Sequence, residues 1–249
     1  MIAVIAIDGP SASGKGTVAQ RVAGALGFAY LDSGAIYRVA ALAAQRAGLI
    51  ALSGRDSLNV DLEGAADAIA AIAGAMPLRF AAGRVWSGDA DVTGAIRSEE
   101  CGANASRIAA IPAVRAALLE RQRAFRVSPG LVADGRDMAS VVFPDAALKV
   151  FLTADVTERA YRRVAQLAGL PLNRAKQLIE NEKDAKIHVL FDSVLTDLQE
   201  RDRRDAGRAA APLKQVEGAK LLDTTQLSID EAVARILGWW AAVKARSAA

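Results

Sequence analysis

Residues 9–17 read Gly-Pro-Ser-Ala-Ser-Gly-Lys-Gly-Thr and lie between the apolar run 2–7 and a segment with apolar side chains at helical spacing. They keep the G-x-x-x-x-G-K spacing of a phosphate-binding loop, in the strand–turn–helix context that such a loop requires. Glycines let successive backbone N–H groups point inward at an anion, and the helix N-terminus adds its positive end. The stretch predicts a P-loop, with nucleotide phosphates held by Gly9, Ser11, Ser13, Gly14, Lys15, Gly16 and Thr17.

The end of this loop narrows the class of protein. Lys15 is expected to reach the β- and γ-phosphates, and the Thr17 hydroxyl to face a phosphate oxygen or Mg²⁺, directly or through water. Gly16 stands where the common motif has Ser or Thr, so the hydroxyl comes one residue later. This Gly-Lys-Gly-Thr ending resembles the nucleoside monophosphate kinases rather than GTPases or motor ATPases. The open question is which acceptor receives the phosphoryl group.

Composition excludes several other classes. The chain has 249 residues, a formal net charge of +3 and 52% apolar residues, which is typical of a folded soluble protein. Its longest stretch without a charged residue, 68–78, has 11 residues and is too short to span a bilayer. A single cysteine excludes an intramolecular disulfide, and a single histidine leaves little room for a Ser-His-Asp triad. We expect a cytoplasmic monomer that binds neither nucleic acid nor a membrane.

Apolar runs alternate with helical patterns along the chain. Strands are predicted at residues 2–7, 28–31, 131–133, 148–152 and 220–222. Helices are predicted at residues 34–48, 61–76, 98–109, 112–126, 155–168, 173–204 and 228–244. The alternation predicts an α/β fold in which helices flank a parallel five-stranded sheet. Three short strands within 78–93 interrupt the pattern and are interpreted as an insertion.

Two turns that follow predicted strands carry candidate acceptor residues. In the first, residues 31–38 read LDSGAIYR, where Ser33 is expected to cap a helix and Tyr37 and Arg38 could clamp a second phosphate. A helix cap with a surface arginine is the alternative explanation. Arg136 emerges where another buried strand ends. The carboxyl ends of parallel strands meet at one edge of a sheet, which favours contact between Arg136 and a ligand.

Arginines are also concentrated further along the chain. Arg162 and Arg163 are adjacent, and residues 201–208 read RDRRDAGR. On a helix, one face would carry Arg201, Arg204, Asp205 and Arg208. By itself such a run usually indicates a solvated, salt-bridged face. The run therefore supports a ligand site only in combination with the other segments.

Taken together, the segments resemble one family. The stretches GPSASGKGT, LDSGAIYR, GRDM followed by VVFPDA, and RDRRDAGRAAAPL resemble bacterial cytidylate kinases, in the same order, from residue 2 to about 230. The resemblance implies a P-loop nucleoside-monophosphate-kinase fold with a core at about 1–59, 101–160 and 205–249. It also implies an NMP-binding insertion at about 60–100 and a lid at about 161–204. The lid is longer than expected for the family, with an added helical stretch around 174–198.

The resemblance further implies a division of roles for CMP or dCMP as acceptor and ATP with Mg²⁺ as donor. The acceptor phosphate would be held by Ser33, Tyr37, Arg38 and Arg136. Cytosine would be read by Ser106, Arg115 and Asp137, and the sugar and phosphate contacted by Arg201, Asp205 and Arg208. The transferring phosphoryl group would be met by Lys15 together with the lid arginines Arg162, Arg163 and Arg204.

Two other functions remain open on sequence grounds. Another P-loop kinase, acting on UMP, shikimate or dephospho-coenzyme A, would share the phosphate loop. A P-loop RNA-binding regulator would account for the arginine-rich lid. It is disfavoured because the arginines occur at strand ends and on one predicted helix face rather than along a continuous stripe.

Overall fold

The computed structural model describes residues 2–50, 64–81, 83–181, 184–208 and 211–248. The strands in this part of the chain are β1 (Ala3–Asp8), β2 (Ala29–Asp32), β3 (Leu78–Ala81), β4 (Arg84–Ser87), β5 (Ala90–Asp91), β6 (Gly130–Gly135), β7 (Leu148–Thr153) and β8 (Lys220–Asp223). The α-helices are α1 (Lys15–Leu26), α2 (Ser33–Arg46), α3 (Ala66–Ala75), α4 (Glu99–Ile108), α5 (Pro112–Arg123), α6 (Val156–Ala168), α7 (Leu172–Glu180), α8 (Ala185–Ala206) and α9 (Ile229–Ala248).

The central element is a parallel five-stranded sheet with the strand order β2-β6-β1-β7-β8. Strand β1 pairs in parallel with β6 on one side and with β7 on the other, and β7 pairs in parallel with β8. The register sets Ile7 beside Asp134 and Asp8 beside Gly135, so that β1 and β6 end at the same edge. The α/β fold class predicted from the sequence is confirmed.

The chain divides into two compact units. Unit 1 comprises Met1–Tyr30 and Ser128–Ala249, and unit 2 comprises Leu31–Val127. The boundary falls within β2. The predicted NMP-binding insertion, about 60–100, belongs in sequence to unit 2, and its residues 60–63 lie outside the described part of the chain, as do the first residues of the helix predicted at 61–76.

Unit 1 is built around strands that are buried on both faces. Val4, Ile5 and Ile7 of β1 are fully buried, as expected for an unbroken apolar run in the centre of a parallel sheet. The apolar cluster of this unit includes side chains of α1 and α9, and Trp240 meets Phe28 edge to face at 5.7 Å between ring centroids. The sheet thereby fixes the carboxyl ends of β1, β6 and β7.

Helices α6, α7 and α8 form a second apolar cluster in unit 1. Its buried side chains are Ala160, Val164, Ile179, Phe191, Val194 and Leu198. The rings of Tyr161 and Phe191 stack at 4.9 Å. The predicted helix at 173–204 is in fact two helices, α7 and α8, and Asp184 caps the second by accepting from the backbone N–H groups of Lys186 and Ile187.

Unit 2 contains helices α2 to α5 and a small antiparallel sheet. The sheet has the order β3-β4-β5, which matches the three short strands predicted within 78–93. Arg121 of α5 donates to the backbone carbonyls of Gly74 and Met76 at the end of α3, and Phe80 meets Phe125 edge to face.

Among the described helices of the protein, none is long and apolar enough to cross a bilayer.

Candidate active site

The phosphate loop connects β1 to α1 in unit 1. A Cβ atom at Gly9 would lie 1.9 Å from the backbone carbonyl oxygen of Leu152 in β7, so only glycine fits there. Gly14 has φ of +89°, in the left-handed region that favours glycine, and no side chain caps α1. Gly14 at the N-cap has no side chain that could occupy the first backbone N–H groups of α1, and such groups at a helix N-terminus bind anions.

Lys15 and Ser13 are both held by the loop itself. Lys15 Nζ donates to the carbonyl oxygen of Pro10 at 3.1 Å, and Ser13 Oγ donates to the same oxygen at 3.0 Å. Both side chains are largely buried, whereas Thr17 is exposed in the first turn of α1. The loop thus holds one ammonium group and one exposed hydroxyl at the helix N-terminus.

Two carboxylates lie at the carboxyl ends of the neighbouring strands β1 and β6. Asp8 accepts the backbone N–H groups of Met138 and Ala139, each at 2.8 Å. Burial raises the pKa of the Asp8 carboxyl to about 6, against the opposing effect of these two hydrogen bonds. Asp134 accepts from the hydroxyl of Tyr30 at 2.6 Å, and its carboxylate lies 3.5 Å from where a Cβ at Gly16 would be. Asp8 thereby joins the start of the phosphate loop to the segment that follows β6.

Arg136 links three parts of unit 1. Its Nη2 donates to Ser11 Oγ in the phosphate loop at 2.7 Å, and its Nε donates to Asp205 of α8 at 2.8 Å. Arg208 pairs with the same carboxylate. Burial opposes ionisation of Asp205, but the charges of Arg136 and Arg208 outweigh it and hold the pKa of this carboxyl below its usual range.

The expected helical face at residues 201–208 needs one correction. Helix α8 ends at Ala206, so Arg208 lies beyond the helix rather than on its face. Its guanidinium nevertheless pairs with Asp205, three residues earlier in the chain. Arg201 is partly buried in α8, and Arg204 is half-exposed beside Glu200.

The predicted lid arginines differ in where they lie. Arg162 donates to the carbonyl oxygen of Ser13 at 3.4 Å, and to Thr224 O at 2.6 Å, so it lies against the phosphate loop. Arg163 donates to Gln166 on its own helix at 2.5 Å. Of the predicted lid arginines, Arg162 is the one that the structure places against the phosphate loop by a hydrogen bond to Ser13.

Sequence reasoning missed Arg159, a nearly fully buried arginine of α6. It donates to the carbonyl oxygens of Ser11 and Ala154 at 3.1 and 3.0 Å, and to both carboxylate oxygens of Asp202 at 2.5 and 3.2 Å. It therefore ties the loop backbone to α8. The i, i+3 spacing of Arg159 and Arg162 is the signal that could have found it.

A cavity of about 410 Å³ adjoins the phosphate loop in unit 1. Its walls include Ser13 and Gly14 of the loop, Arg162 of α6 and Leu172 of α7. The turn from Thr224 to Ser228, between β8 and α9, forms another wall. Sequence reasoning did not identify this turn, although it follows a parallel strand and so leaves the sheet at its ligand-binding edge.

The predicted acceptor residues of unit 2 cluster around α2. Asp32, not Ser33, caps this helix by accepting from the backbone N–H of Ala35 at 2.8 Å, so the predicted Ser33 cap is wrong. The aspartate oxygen reaches N3 from outside the helix, whereas Ser33 is already its first residue. The Ser33 hydroxyl instead donates to Gln122 Oε1 of α5 at 2.8 Å.

Arg38 and Tyr37 also belong to this group. The guanidinium of Arg38 donates to the carbonyl oxygens of Ile96 and Ser98 at 2.6 and 3.3 Å, and Tyr37 is buried. Arg38 thus places a cation where α2 meets the start of α4.

The three residues predicted to read cytosine are divided between the units. Ser106 is buried in α4, and its hydroxyl has no hydrogen-bond partner among the residues described. Arg115 of α5 donates to Ala109 O at 3.4 Å. Asp137 belongs to unit 1, where it is buried directly before a π-helical turn, Met138–Val142.

The fold and the phosphate loop define a P-loop kinase of the nucleoside monophosphate kinase class. The sequence profile described as cytidylate kinase matches residues 5–241. A cytidylate kinase of Cupriavidus necator is 50% identical over 244 residues, which cover 98% of each protein. One from Chromobacterium violaceum is 50% identical over 96% of each protein, and one from Bordetella pertussis is 51% identical over 96% of this chain and 95% of the relative. The chain belongs to the cytidylate kinase family.

Proposed function

We propose that the protein transfers the γ-phosphoryl group of ATP to CMP and dCMP, giving CDP or dCDP and ADP. Membership of the cytidylate kinase family supports the substrate class. The observation that carries the proposal is the hydrogen bond from Arg136 to Ser11. This bond brings the guanidinium that follows β6, one of the groups expected to hold the acceptor phosphate, to the phosphate loop. A guanidinium can bind phosphate oxygens through two parallel bonds.

The donor would occupy unit 1. Its phosphates would be held by Gly9, Ser11, Ser13, Gly14, Lys15, Gly16 and Thr17, through backbone N–H groups, the ammonium and the hydroxyls. The adjoining cavity of about 410 Å³ is of a size that a nucleoside requires, and we assign it to the donor base and sugar. Arg162 spans the two regions, since it contacts both Ser13 and Thr224.

The acceptor contacts in this proposal are those that the sequence resemblance implies. Its phosphate would be held by Ser33, Tyr37, Arg38 and Arg136. Its cytosine would be read by Ser106, Arg115 and Asp137, and its sugar and phosphate contacted by Arg201, Asp205 and Arg208. Cytosine presents an amino donor beside acceptors at N3 and O2, which a carboxylate and a guanidinium complement.

The transfer needs no dedicated base. The attacking atom is a phosphate oxygen of CMP, which is already anionic, and the bond from the γ-phosphorus to the ADP oxygen breaks as the new bond forms. The protein's task is to align two polyanions and neutralise the charge on the transferring group. Lys15 and Arg162 would do this from the loop side. Arg163 and Arg204 would join them only by leaving Gln166 and Glu200.

Mg²⁺ is a further part of this proposal. The donor set fits the ion, because the exposed Thr17 hydroxyl lies at the loop and Mg²⁺ usually takes few protein ligands, with waters and phosphate oxygens completing its shell. No group of three or more acidic, histidine or cysteine side chains among the described residues could hold a metal by itself. Mg²⁺ bound with ATP would neutralise charge on the donor phosphates. The cytoplasmic location and monomeric state expected from the sequence stay predictions.

A panel of acceptors tests the proposal. The protein is incubated with ATP, with and without Mg²⁺, and with CMP, dCMP, UMP, AMP, shikimate or dephospho-coenzyme A. ADP release and the phosphorylated product are measured. We expect Mg²⁺-dependent turnover that is fastest with CMP and dCMP. Comparable turnover of UMP or AMP with little on CMP would reject the base assignment, and turnover of shikimate or dephospho-coenzyme A alone would favour another kinase.

A further inference from the structure

The carboxylate of Glu158 in α6 lies between two cations. It accepts from Arg162 Nε at 3.1 Å and from Lys176 Nζ at 2.5 Å, with one oxygen for each partner. The Glu158 side chain is only 11% exposed, so the pair is screened by solvent less than a surface ion pair. The contact joins α6 to α7, because Glu158 lies in α6 and Lys176 lies in α7.

Arg162 reaches the cavity from this pair. Its other nitrogens donate to Thr224 Oγ1 at 3.2 Å, to Thr224 O at 2.6 Å and to Ser13 O at 3.4 Å. Together with the bond from Nε to Glu158, these contacts give all three guanidinium nitrogens of Arg162 a hydrogen-bond acceptor. Its plane is thereby fixed against the cavity that we assign to the donor.

Charge explains why a second cation is needed. Glu158 alone would cancel the positive charge of Arg162, which the donor's anionic phosphates require. Lys176 leaves the three side chains with a net charge of +1 while Glu158 still orients Arg162. Lys176 is itself held over the ring of Tyr161, at 5.4 Å from the centroid, and Leu172 of the same helix lines the cavity.

We propose that Glu158 and Lys176 are positioning residues for the phosphoryl donor, and that α7 supplies Lys176 for this purpose. The pair acts through Arg162 and touches no substrate. The inference rests on the proposed donor site in unit 1. It gives α7 a role in ATP binding that neither the phosphate loop nor the acceptor motifs carry.

Substitution of Lys176 by Met tests the inference in the full-length protein. We expect the KM for ATP to rise about fivefold to tenfold, as loss of a partly buried ion pair implies, while the KM for CMP and kcat stay within about twofold. Binding of ADP alone, measured by calorimetry, should weaken by the same factor. K176R should restore both values. Lys186, an exposed lysine of α8, provides the matched control, and K186M should change neither constant.

A double-mutant cycle separates positioning from a general loss of stability. E158Q should also raise the KM for ATP, and E158Q combined with K176M should be no worse than the poorer single variant, because both act through one pair. The inference is overturned if the two substitutions raise the KM for ATP additively in the double variant. It is also overturned if K176M and E158Q each leave that KM unchanged in proteins that still phosphorylate CMP. Failure of the proposed function would instead appear as absent CMP turnover in the unmodified protein.

Discussion

Arg136 donates from Nη2 to the hydroxyl oxygen of Ser11 across 2.7 Å, which joins the end of β6 to the phosphate loop within unit 1. The same guanidinium donates to Asp205 at 2.8 Å. Ser11 and Asp205 are both oxygen acceptors, and a substrate phosphate offers the same kind of atom with more charge. Arg136 is therefore held in place by groups whose oxygen atoms a phosphate can replace.

Replacement of Arg136 by Met should abolish most of the use of CMP. We expect kcat/KM for CMP to fall by about a hundredfold or more, since a donor aimed at the charged groups of a transfer reaction contributes on this scale. The affinity for ADP should change far less. Initial rates at varied CMP concentrations and calorimetry with ADP provide the two values. The control is R203M, which removes an exposed arginine of α8 and should change neither value. Equal losses of CMP use and ADP affinity in R136M would contradict the role of Arg136.

Asp205 is expected to contribute to stability as well as to the site. Replacement by Asn keeps the shape but leaves Arg136 and Arg208 without their shared carboxylate, and should lower the free energy of unfolding by about 3 kcal/mol. The pKa of Asp205 is lowered in the folded protein. Its stabilising effect is therefore present above the ordinary pKa of 3.8 and is lost as the pH falls through the lower, folded value.

Urea denaturation of both proteins at several pH values measures this dependence. The difference in stability between the native protein and D205N should be largest near neutral pH and should shrink below pH 3.8. D89N, which changes an exposed carboxylate in the turn between β4 and β5, should show no such difference. A gap between native protein and D205N that does not vary with pH would contradict the ion-pair explanation.

Local sequence was sufficient to predict the phosphate loop and the sheet. Gly9, Gly14 and Lys15 lie within seven consecutive residues. The loop is a local turn between one strand and one helix, so the spacing of these three residues is enough to identify it. The buried strands were predicted for a similar reason. An apolar run of three to six residues between turn signals is too short for most helices and therefore favours a strand.

Contacts between distant residues could not be predicted in this way. Arg159 bonds to Ser11, 148 residues earlier in the chain, and to Asp202, 43 residues later. Its i, i+3 spacing from Arg162 indicates a shared helix face but identifies neither of these partners. The turn from Thr224 to Ser228 carries few charges, so its place in the cavity wall follows only from the sheet order. Helix α8 ends before Arg208, with Gly207 as its C-cap. This single glycine stands in a run of residues that otherwise favours helix, so the end of the helix was not predicted.

The pKa of Asp8 should lie well above the ordinary aspartate value of 3.8. Burial raises the pKa of Asp8 to about 6 in the folded protein. The contribution of its protonated carboxyl to the free energy of unfolding is therefore fully present below pH 3.8 and is lost as the pH rises through about 6. Carbon-13 NMR of the aspartate carboxyl groups should show a midpoint near 6 that disappears in D8N. Asp155, whose pKa is lowered by hydrogen bonds such as that from the Thr157 N–H, should titrate below 3.8. A midpoint for Asp8 at or below that of Asp155 would contradict the effect of burial.

Two glycine-to-alanine substitutions in neighbouring elements should have opposite effects. At Gly9 the added Cβ would meet the Leu152 carbonyl oxygen at 1.9 Å, so the phosphate loop or β7 must move, and ADP binding should weaken at least about tenfold. At Gly24, inside α1, a Cβ meets nothing within 4 Å, and alanine should stabilise the protein by about 0.5–1 kcal/mol through its helix propensity. Thermal melts and ADP calorimetry on both variants measure the contrast. If G9A bound ADP as tightly as G24A does, the close approach of the loop to β7 would not govern nucleotide binding.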